Sequence, residues 1–278
     1  MKPKNHSIAI WAIGLAMTYS ACTTPQKWSE ESKEGYVRVT QKGGATLGYA
    51  PSSGVKLIED DGYVCKDVNR NGELDKYEGW RLGFEERAID LASQLSEEEI
   101  AGLMLYSAHQ QIPAQSSGYG ASTYNGKTLE ESGAKPSDLS DEQKAFLKDD
   151  NLRAVLITKV QSPEVAAQWN NNVQAYVEGM GHGIPANNSS DPRHETTANA
   201  EYNYGAGGEI SQWPTSLGLA ATFSPELVKR FGQIASKEYR ALGITTALSP
   251  QVDLASEPRW TRFTGTFGGD PDLTTDLG

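Results

Sequence analysis

Two polar segments combine the residue types that bind sugars. The segment "NNSSDPRHE" carries Asp191 and His194, and the segment "QVDLASEPRWTR" carries Arg259, Trp260 and Arg262. Carboxylates accept hydrogen bonds from paired hydroxyls, arginine donates in a fixed fork, and tryptophan stacks on the apolar face of a pyranose ring. The five residues therefore predict a carbohydrate-binding site. Taken alone, the first segment could also be a proline-closed turn and the second an exposed loop with a salt bridge.

Other catalytic chemistries fit the sequence poorly. The chain has no G-x-S-x-G motif, and one of its four histidines, His6, lies in the leader, so a Ser-His-Asp hydrolase is not indicated. His182 and His194 lack the helical spacing of metal ligands. A net charge of −11 without a basic stripe argues against a nucleic-acid partner.

The stretch "DVNRNGELDKYE" matches the calcium-loop pattern D-x-[DN]-x-[DN]-G-x5-E at every specified position. Calcium takes six to eight hard oxygen ligands, and Gly72 allows the sharp turn that such a loop needs. The candidate ligands are the side chains of Asp67, Asn69, Asn71, Asp75 and Glu78 and the carbonyl of Glu73. No helix is expected before the loop, which favours a structural Ca²⁺ over a sensor. A polar turn that matches by chance is the alternative.

The first 22 residues predict an export signal. Two lysines precede the apolar run "IAIWAIGLAM", and small residues precede Cys22, as in a lipoprotein signal peptide. We expect a bacterial lipoprotein of the periplasm or outer membrane, bound to the membrane only through lipid on Cys22. An ordinary secreted protein cut nearby is the alternative. The only other cysteine, Cys65, is then expected to be a free or buried thiol.

The rest of the chain divides into three parts by composition. Residues 23–66 are polar and predict a tether and N-terminal extension, residues 67–84 the calcium loop with a helix following from Lys76, and residues 85–278 an α/β domain. Within that domain, Ser96 and Ser140 open capping boxes, and a long loop is expected over residues 110–135.

The α/β domain alternates strands and helices. "LRAVLITKV", "GIPANNSSD", "SLGLAATF" and "ITTALSPQVDL" are apolar or strand-like runs, and two segments that begin "SPE" predict helices capped by Ser162 and Ser224. This order is typical of a parallel sheet, although periodicity does not distinguish an open sheet from a barrel. In either fold the site lies at the carboxyl ends of the strands, where the two sugar-binding segments fall.

Two collinear stretches resemble glycoside hydrolase family 3. "GIPANNSSDPRH" is similar to the family segment G-I-P-x-x-x-x-x-D-x-x-H, and residues 213–271 are similar to the signature that runs from P-x-x-x-G-L-A-A-T through D-P-R-W-G-R to F-G-E-D-P. The calcium motif is similar to a leader in some bacterial members. Departures from the signature are Glu257 for aspartate, Thr261 for glycine, and Gly265 and Gly269 for acids.

The resemblance implies a TIM-type (β/α)8 barrel and retaining exo-β-glycosidase activity on an oligosaccharide or glycoside, with no catalytic cofactor. It implies that Asp191 and Arg262 contact the sugar, and that Arg259 and Trp260 mainly order their loop; His194 matches the motif's histidine. A β-N-acetylglucosaminidase, a β-xylosidase and a non-catalytic glycan-binding surface lipoprotein stay open as alternatives.

The family's lysine–histidine pair and nucleophilic aspartate lie on later strands. The resemblance thus assigns no catalytic residue to this chain, and Gly278 falls after three or four of the eight strands. We therefore expect an N-terminal fragment, a partial barrel, whose partner is the remainder of its own polypeptide.

Overall fold

A computed structural model describes residues 25–118, 120–191, 194 and 209–278. The predicted signal peptide and Cys22 lie outside the described residues. Across the described ranges, no helix is both long and apolar enough to cross a membrane. Cys65 is a buried free thiol, as predicted, and burial raises its pKa.

The N-terminal extension is folded, so the prediction of a tether is wrong for residues 28–49. Three antiparallel strands form one sheet, and two more form a hairpin: β1 Trp28–Ser32, β2 Val37–Gln41, β3 Leu47–Tyr49, β4 Lys56–Asp60 and β5 Tyr63–Asp67. In "VRVTQ" every second side chain points inward, and Val39 is fully buried. The Gln41 side chain joins the two sheets, because its amide bonds both the N–H (2.8 Å) and the carbonyl (3.1 Å) of Val64.

A helix does not follow directly from Lys76. Residues Lys76–Glu78 form a single 3₁₀ turn, and the first α-helix begins at Phe84, because the backbone at Gly79 and Gly83 is extended. The first two helices are α1 Phe84–Gln94 and α2 Glu97–Leu103. The predicted capping box at Ser96 opens α2.

Four parallel strands build the main sheet in the sequential order β6-β7-β8-β9. They are β6 Gln110–Ile112, β7 Ala154–Val160, β8 Asn187–Ser190 and β9 Thr246–Ala247. The prediction of one long loop over residues 110–135 is therefore wrong at its start, where β6 pairs with β7. A sequential parallel order is the arrangement of neighbouring strands in a barrel.

Among the described residues, six helices accompany this sheet: α3 Leu129–Ser132, α4 Asp141–Lys148, α5 Pro163–Glu178, α6 Ser216–Ala220, α7 Pro225–Ala241 and α8 Pro271–Leu277. The caps predicted at Ser140, Ser162 and Ser224 are confirmed. The run "SLGLAATF", expected among the strands, forms α6 instead, because the Thr215 hydroxyl accepts the Gly218 N–H and starts a helix.

The core lies between the sheet and α5. Trp169, Val173 and Val177 on α5 are at most 1% exposed and pack with Val155 and Ile157 of β7. Burial of such a side chain contributes about 1.5–3 kcal/mol. The Trp169 indole also donates to the Gln143 side chain of α4 (3.1 Å), so α4, α5 and β7 form one well-packed layer beside β8.

Candidate active site

Asp191 directly follows β8 at the carboxyl end of the parallel sheet. Its backbone carbonyl accepts a 2.8 Å hydrogen bond from the hydroxyl of Tyr239, which is buried on α7. The serines that precede it are buried, and the Ser190 hydroxyl donates to the Ile157 carbonyl of β7 (3.0 Å). Strand and helix together fix the main chain from which the Asp191 carboxylate projects.

His194 is an interior residue, only 2% exposed. Its Nε2 lies 2.8 Å from a carboxylate oxygen of Glu238, and its ring packs against Phe231 and Tyr239 at 6.0 and 5.0 Å between centroids. The same Glu238 carboxylate accepts the hydroxyl (2.8 Å) and N–H (3.1 Å) of Ser211. The structure thus makes His194 the anchor of the segment after β8. Its predicted role as a sugar contact stays a prediction.

The second segment is a loop that leaves β9 and returns beside it. Gln251 and Thr266 form a parallel bridge at its base, and the Ala255 N–H donates to the Gly268 carbonyl (3.0 Å). The Arg259 guanidinium grips Glu257 through two hydrogen bonds of 2.7 and 2.8 Å, which lowers the pKa of that carboxyl to about 2. Both side chains are exposed, and the loop-ordering role that the resemblance implies for Arg259 stays a prediction.

Trp260 and Arg262 follow in a chain of tight turns. The Trp260 N–H donates to the Glu257 carbonyl, and the carbonyls of Trp260 and Arg262 accept from Phe263 and Gly265, all at 3.0 Å. Trp260 is half-buried, whereas Arg262 is exposed and its side chain can turn toward a ligand.

The two segments start at neighbouring strands. β8 pairs with β9 in parallel, and the Leu248 N–H donates to the Ser190 carbonyl (3.0 Å), one residue before Asp191. Asp191 and His194 are joined through α7, while Arg259, Trp260 and Arg262 form a separate group on the loop. The convergence of both groups on one ligand is a prediction that the strand adjacency supports.

The candidate calcium ligands lie in one closed loop after β5, on another part of the molecule. Asp67 and Glu78 are buried, Asn69 and Asp75 are half-buried, and Asn71 and Glu73 are exposed. The amides of Asn69 and Asn71 both donate to one oxygen of Asp75, at 2.7 and 2.8 Å. The loop therefore brings three of its six predicted ligands together at the Asp75 carboxylate, and the calcium site stays a prediction.

The sequence model of the glycosyl hydrolase family 3 N terminal domain matches residues 95–278. The chain belongs to glycoside hydrolase family 3. A periplasmic β-glucosidase/β-xylosidase of Dickeya chrysanthemi is 42% identical over 226 residues, which is 81% of this chain and 32% of that protein. Beta-glucosidase C of Emericella nidulans is 36% identical over 76% of this chain and 31% of its own length. The chain spans about a third of the length of these relatives.

A solved β-glucosidase from Erythrobacter marinus shares the fold. It superposes with a TM-score of 0.52 at 22% identity, over 73% of this chain and 23% of that one. Together with the family match, the four sequential parallel strands are the N-terminal portion of the family's α/β barrel domain.

At two positions where the chain departs from the family signature, the structure leaves little space for a side chain. A Cβ on Gly269 would lie 3.1 Å from the Ala255 carbonyl oxygen, and a Cβ on Gly265 would lie 3.1 Å from the Gln251 side chain. A side chain at position 269 would require the backbone of Ala255 to shift by a few tenths of an ångström, whereas at position 265 only the end of the Gln251 side chain would have to move.

Sequence reasoning missed the residues that position Asp191 and His194. Neither Tyr239 nor Glu238 was among the predicted site residues. The one indication in the sequence was the residue type, because the hydroxyl of a buried tyrosine usually forms a hydrogen bond. Pattern alone does not identify that partner, because it comes from a segment 48 residues away.

Proposed function

We propose that the complete protein is a retaining exo-β-glycosidase of the β-glucosidase type, acting on terminal β-linked sugars. Family membership supports the reaction class, and the names of the relatives support the sugar. The observation that carries the proposal is Asp191 at the carboxyl end of β8, with its main chain held by Tyr239 and the loop with Arg262 leaving the adjacent strand.

In this proposal the chain provides the sugar-binding half of the site. The Asp191 carboxylate accepts hydrogen bonds from paired hydroxyls, and the Arg262 guanidinium donates to a hydroxyl or ring oxygen. Retention requires two carboxyl groups about 5–5.5 Å apart, one a nucleophile and the other an acid/base. We assign neither role to an acid in this chain, and place both on polypeptide beyond Gly278.

The test is Asp191→Asn in the full-length protein, assayed on an aryl β-glucoside. Hydrogen bonds to the sugar that strengthen in the transition state supply several kcal/mol, so kcat/KM should fall by roughly 10²–10⁴-fold. Asp149→Asn, an exposed acid at the end of α4, is the matched control and should leave kcat/KM unchanged. Undiminished activity of the Asp191 variant would contradict the assignment of Asp191 as a sugar ligand. If the wild-type protein binds glycans without hydrolysing them, it is a non-catalytic lectin.

A β-xylosidase is the second candidate, because the Dickeya chrysanthemi relative carries both activities in its name. The two sugars differ by the C6 hydroxymethyl group. The ratio of kcat/KM on aryl β-glucoside and aryl β-xyloside decides between them, and a ratio below one would make xylose the preferred sugar.

We also propose that the protein is exported, in line with the periplasmic relatives of Dickeya chrysanthemi and Salmonella typhimurium. Lipid on Cys22 would then anchor it to the membrane. Labelled palmitate should be incorporated into the wild type and absent from Cys22→Ser; label that persists in the variant would exclude this anchor.

A further inference from the structure

The 67–78 loop contains a buried carboxylate oxygen that lacks a protein partner. Asp67 is 1% exposed; its Oδ2 accepts the N–H of Gly72 at 3.1 Å, whereas its Oδ1 has no hydrogen-bond partner. The Asp67 carboxylate thus has one oxygen bonded to the turn of the loop and one buried oxygen without a partner. A buried anionic oxygen without a partner is costly, and a cation can offset that cost.

Three further side chains of the loop with oxygen atoms contact one another. The Asp75 Oδ2 atom lies 2.7 Å from the Asn69 amide and 2.8 Å from the Asn71 amide, so three side chains meet at one point. Rotation of each amide would replace its N–H₂ group by its oxygen. Gly72 has φ +83°, a conformation open to glycine, and this permits the sharp turn that brings the donors together.

Glu78 was predicted as a calcium ligand, and in the structure its carboxylate closes the loop by accepting backbone hydrogen bonds. Its carboxylate accepts the N–H groups of Val68 (2.7 Å) and Asp75 (3.1 Å), which ties the two ends of the loop together. Oε1 also accepts the Asn69 N–H at 3.4 Å, so Oε2, which accepts only the Asp75 N–H, is the oxygen through which Glu78 can act as a ligand while it closes the loop.

The loop has an excess of negative charge that its own basic residues do not neutralise. It holds four acids, and its two bases point elsewhere: the Arg70 guanidinium lies 3.4 Å from the Glu178 carbonyl and 3.5 Å from the Gly181 carbonyl, and Lys76 lies 3.6 Å from Glu86. In the described part of the chain no three His, Cys, Asp or Glu side chains cluster as metal ligands. Here the donors are carboxylate, amide and carbonyl oxygens, which suit a hard cation such as Ca²⁺.

We infer that the 67–78 loop binds one Ca²⁺ ion and that the ion fastens the N-terminal extension to the barrel domain. Asp67, Asn69, Asn71 and Asp75 are its side-chain ligands, joined by the Glu73 carbonyl and Glu78.

The loop is in direct contact with the turn that precedes β8. Gly183 has φ +62°, and a Cβ there would lie 2.6 Å from the Cβ of Val68. The Tyr77 ring packs edge-on against His182, at 6.1 Å between centroids. Since residues 179–186 connect α5 to β8, an ordered loop stabilises the element that leads to Asp191.

The experiment is calorimetric titration of CaCl₂ into the full-length protein after divalent ions are removed with a chelating resin. Because two of the ligands are neutral amides, we expect a Kd of about 10⁻⁵–10⁻³ M. The Tm of the protein in saturating Ca²⁺ should be higher than its Tm in EDTA, because the ion binds the folded state. Asp67→Asn should weaken the binding at least tenfold and abolish the rise in Tm.

Glu59→Gln is the matched control. It removes one negative charge from the exposed face of β4, outside the loop and its proposed ligands, so its Kd should stay within about twofold of wild type. Equal loss of affinity in both variants would mean diffuse charge attraction without a site, and absence of calcium binding up to millimolar concentration would overturn the inference. If circular dichroism shows that Asp67→Asn does not fold, Asn71→Ala decides: it alters an exposed ligand, and an unchanged Kd would contradict the assignment.

Discussion

At the scale of single residues, the candidate site depends on side chains that do not face the sugar. Tyr239 holds the main chain of Asp191, and Glu238 holds His194 and Ser211. All these contacts come from one turn at the end of α7. Helix α7 is therefore the positioning element of the site, in addition to a layer of the fold.

Tyr239→Phe tests this positioning directly. The ring and its packing against His194 remain, but the Asp191 carbonyl loses its 2.8 Å donor. A typical hydrogen bond contributes about 0.5–1.5 kcal/mol, so a small fall in Tm is expected. In the proposed glycosidase, kcat/KM should also fall, by about 3- to 15-fold, because the carboxylate is less well oriented.

A matched control for that variant is Tyr176→Phe, a half-buried tyrosine on α5. It should leave kcat/KM on the aryl β-glucoside unchanged. If both variants lost activity in proportion to their loss of Tm, Tyr239 would have a structural role only.

The sequence predicts the roles of residues with local contacts better than the roles of residues with long-range contacts. The caps at Ser96, Ser140, Ser162 and Ser224 are local, since hydroxyl and N–H lie three residues apart, and all four were predicted. The hydrogen bonds of Tyr239 with Asp191 and of His194 with Glu238 join segments more than 40 residues apart, and only the folded chain brings those atoms together.

At the scale of helices and strands, the predictions were correct where the hydrophobic pattern of the sequence was long and regular. β7 is a long β-branched run, and the α5 stripe has four apolar residues at helical spacing, so both were identified. The run "SLGLAATF" is too short to distinguish strand from helix by composition, and the cap at Thr215 makes it a helix. In β2 the alternation of "VRVTQ" was present in the sequence, but its polar surroundings concealed it.

Asp141 shows how one acid joins two elements. It is the first residue of α4, and its carboxylate accepts the Thr123 hydroxyl (2.6 Å) and the N–H groups of Gly126 (2.9 Å) and Asn125 (3.0 Å). The turn after β6 is thereby fixed to the helix. These hydrogen bonds, that of Thr123 first, lower the pKa of Asp141.

The lowered pKa predicts an acid-dependent contribution to stability. The folded state favours the charged carboxylate, so the contribution is present above the unfolded-state pKa of an aspartate and is lost as pH falls through the lower folded-state value. Asp141→Asn should lower Tm by a few degrees at pH 7. Its Tm should approach that of wild type as pH falls from about 5 to 3, and a constant difference over that range would contradict the role of the charge.

At the scale of the whole molecule, the resemblance predicted the barrel and the structure supplied its attachment to the N-terminal extension. Helical and strand periodicity indicated a parallel sheet but left an open sheet as an alternative; the sequential order β6-β7-β8-β9 together with the family match resolves this. The fold of the N-terminal extension could not be predicted in the same way. Its short polar strands bury few residues, so they lack a clear hydrophobic pattern, and the sequence does not show which strands pair.

Glu178 is the principal link between the extension and the barrel domain. Its carboxylate, at the end of α5, forms a 2.6 Å ion pair with Lys66 of β5 and accepts the Ala50 N–H at 2.8 Å. The Glu178 side chain is 10% exposed and that of Lys66 29%, so solvent screens the pair only partly. Replacement of one partner leaves the other charge half-buried without compensation.

Glu178→Gln should therefore destabilise the protein more than loss of an exposed ion pair does. We expect a loss of roughly 1–3 kcal/mol in the free energy of unfolding, less than for a fully buried pair because Lys66 retains contact with water. Glu31→Gln, which breaks the exposed pairs with Arg38 and Lys33, is the control and should cost less than Glu178→Gln. Urea denaturation followed by tryptophan fluorescence measures both. Equal losses would show that Glu178 contributes no more than a surface charge, and that apolar packing such as Val68 against Gly183 holds the two parts together.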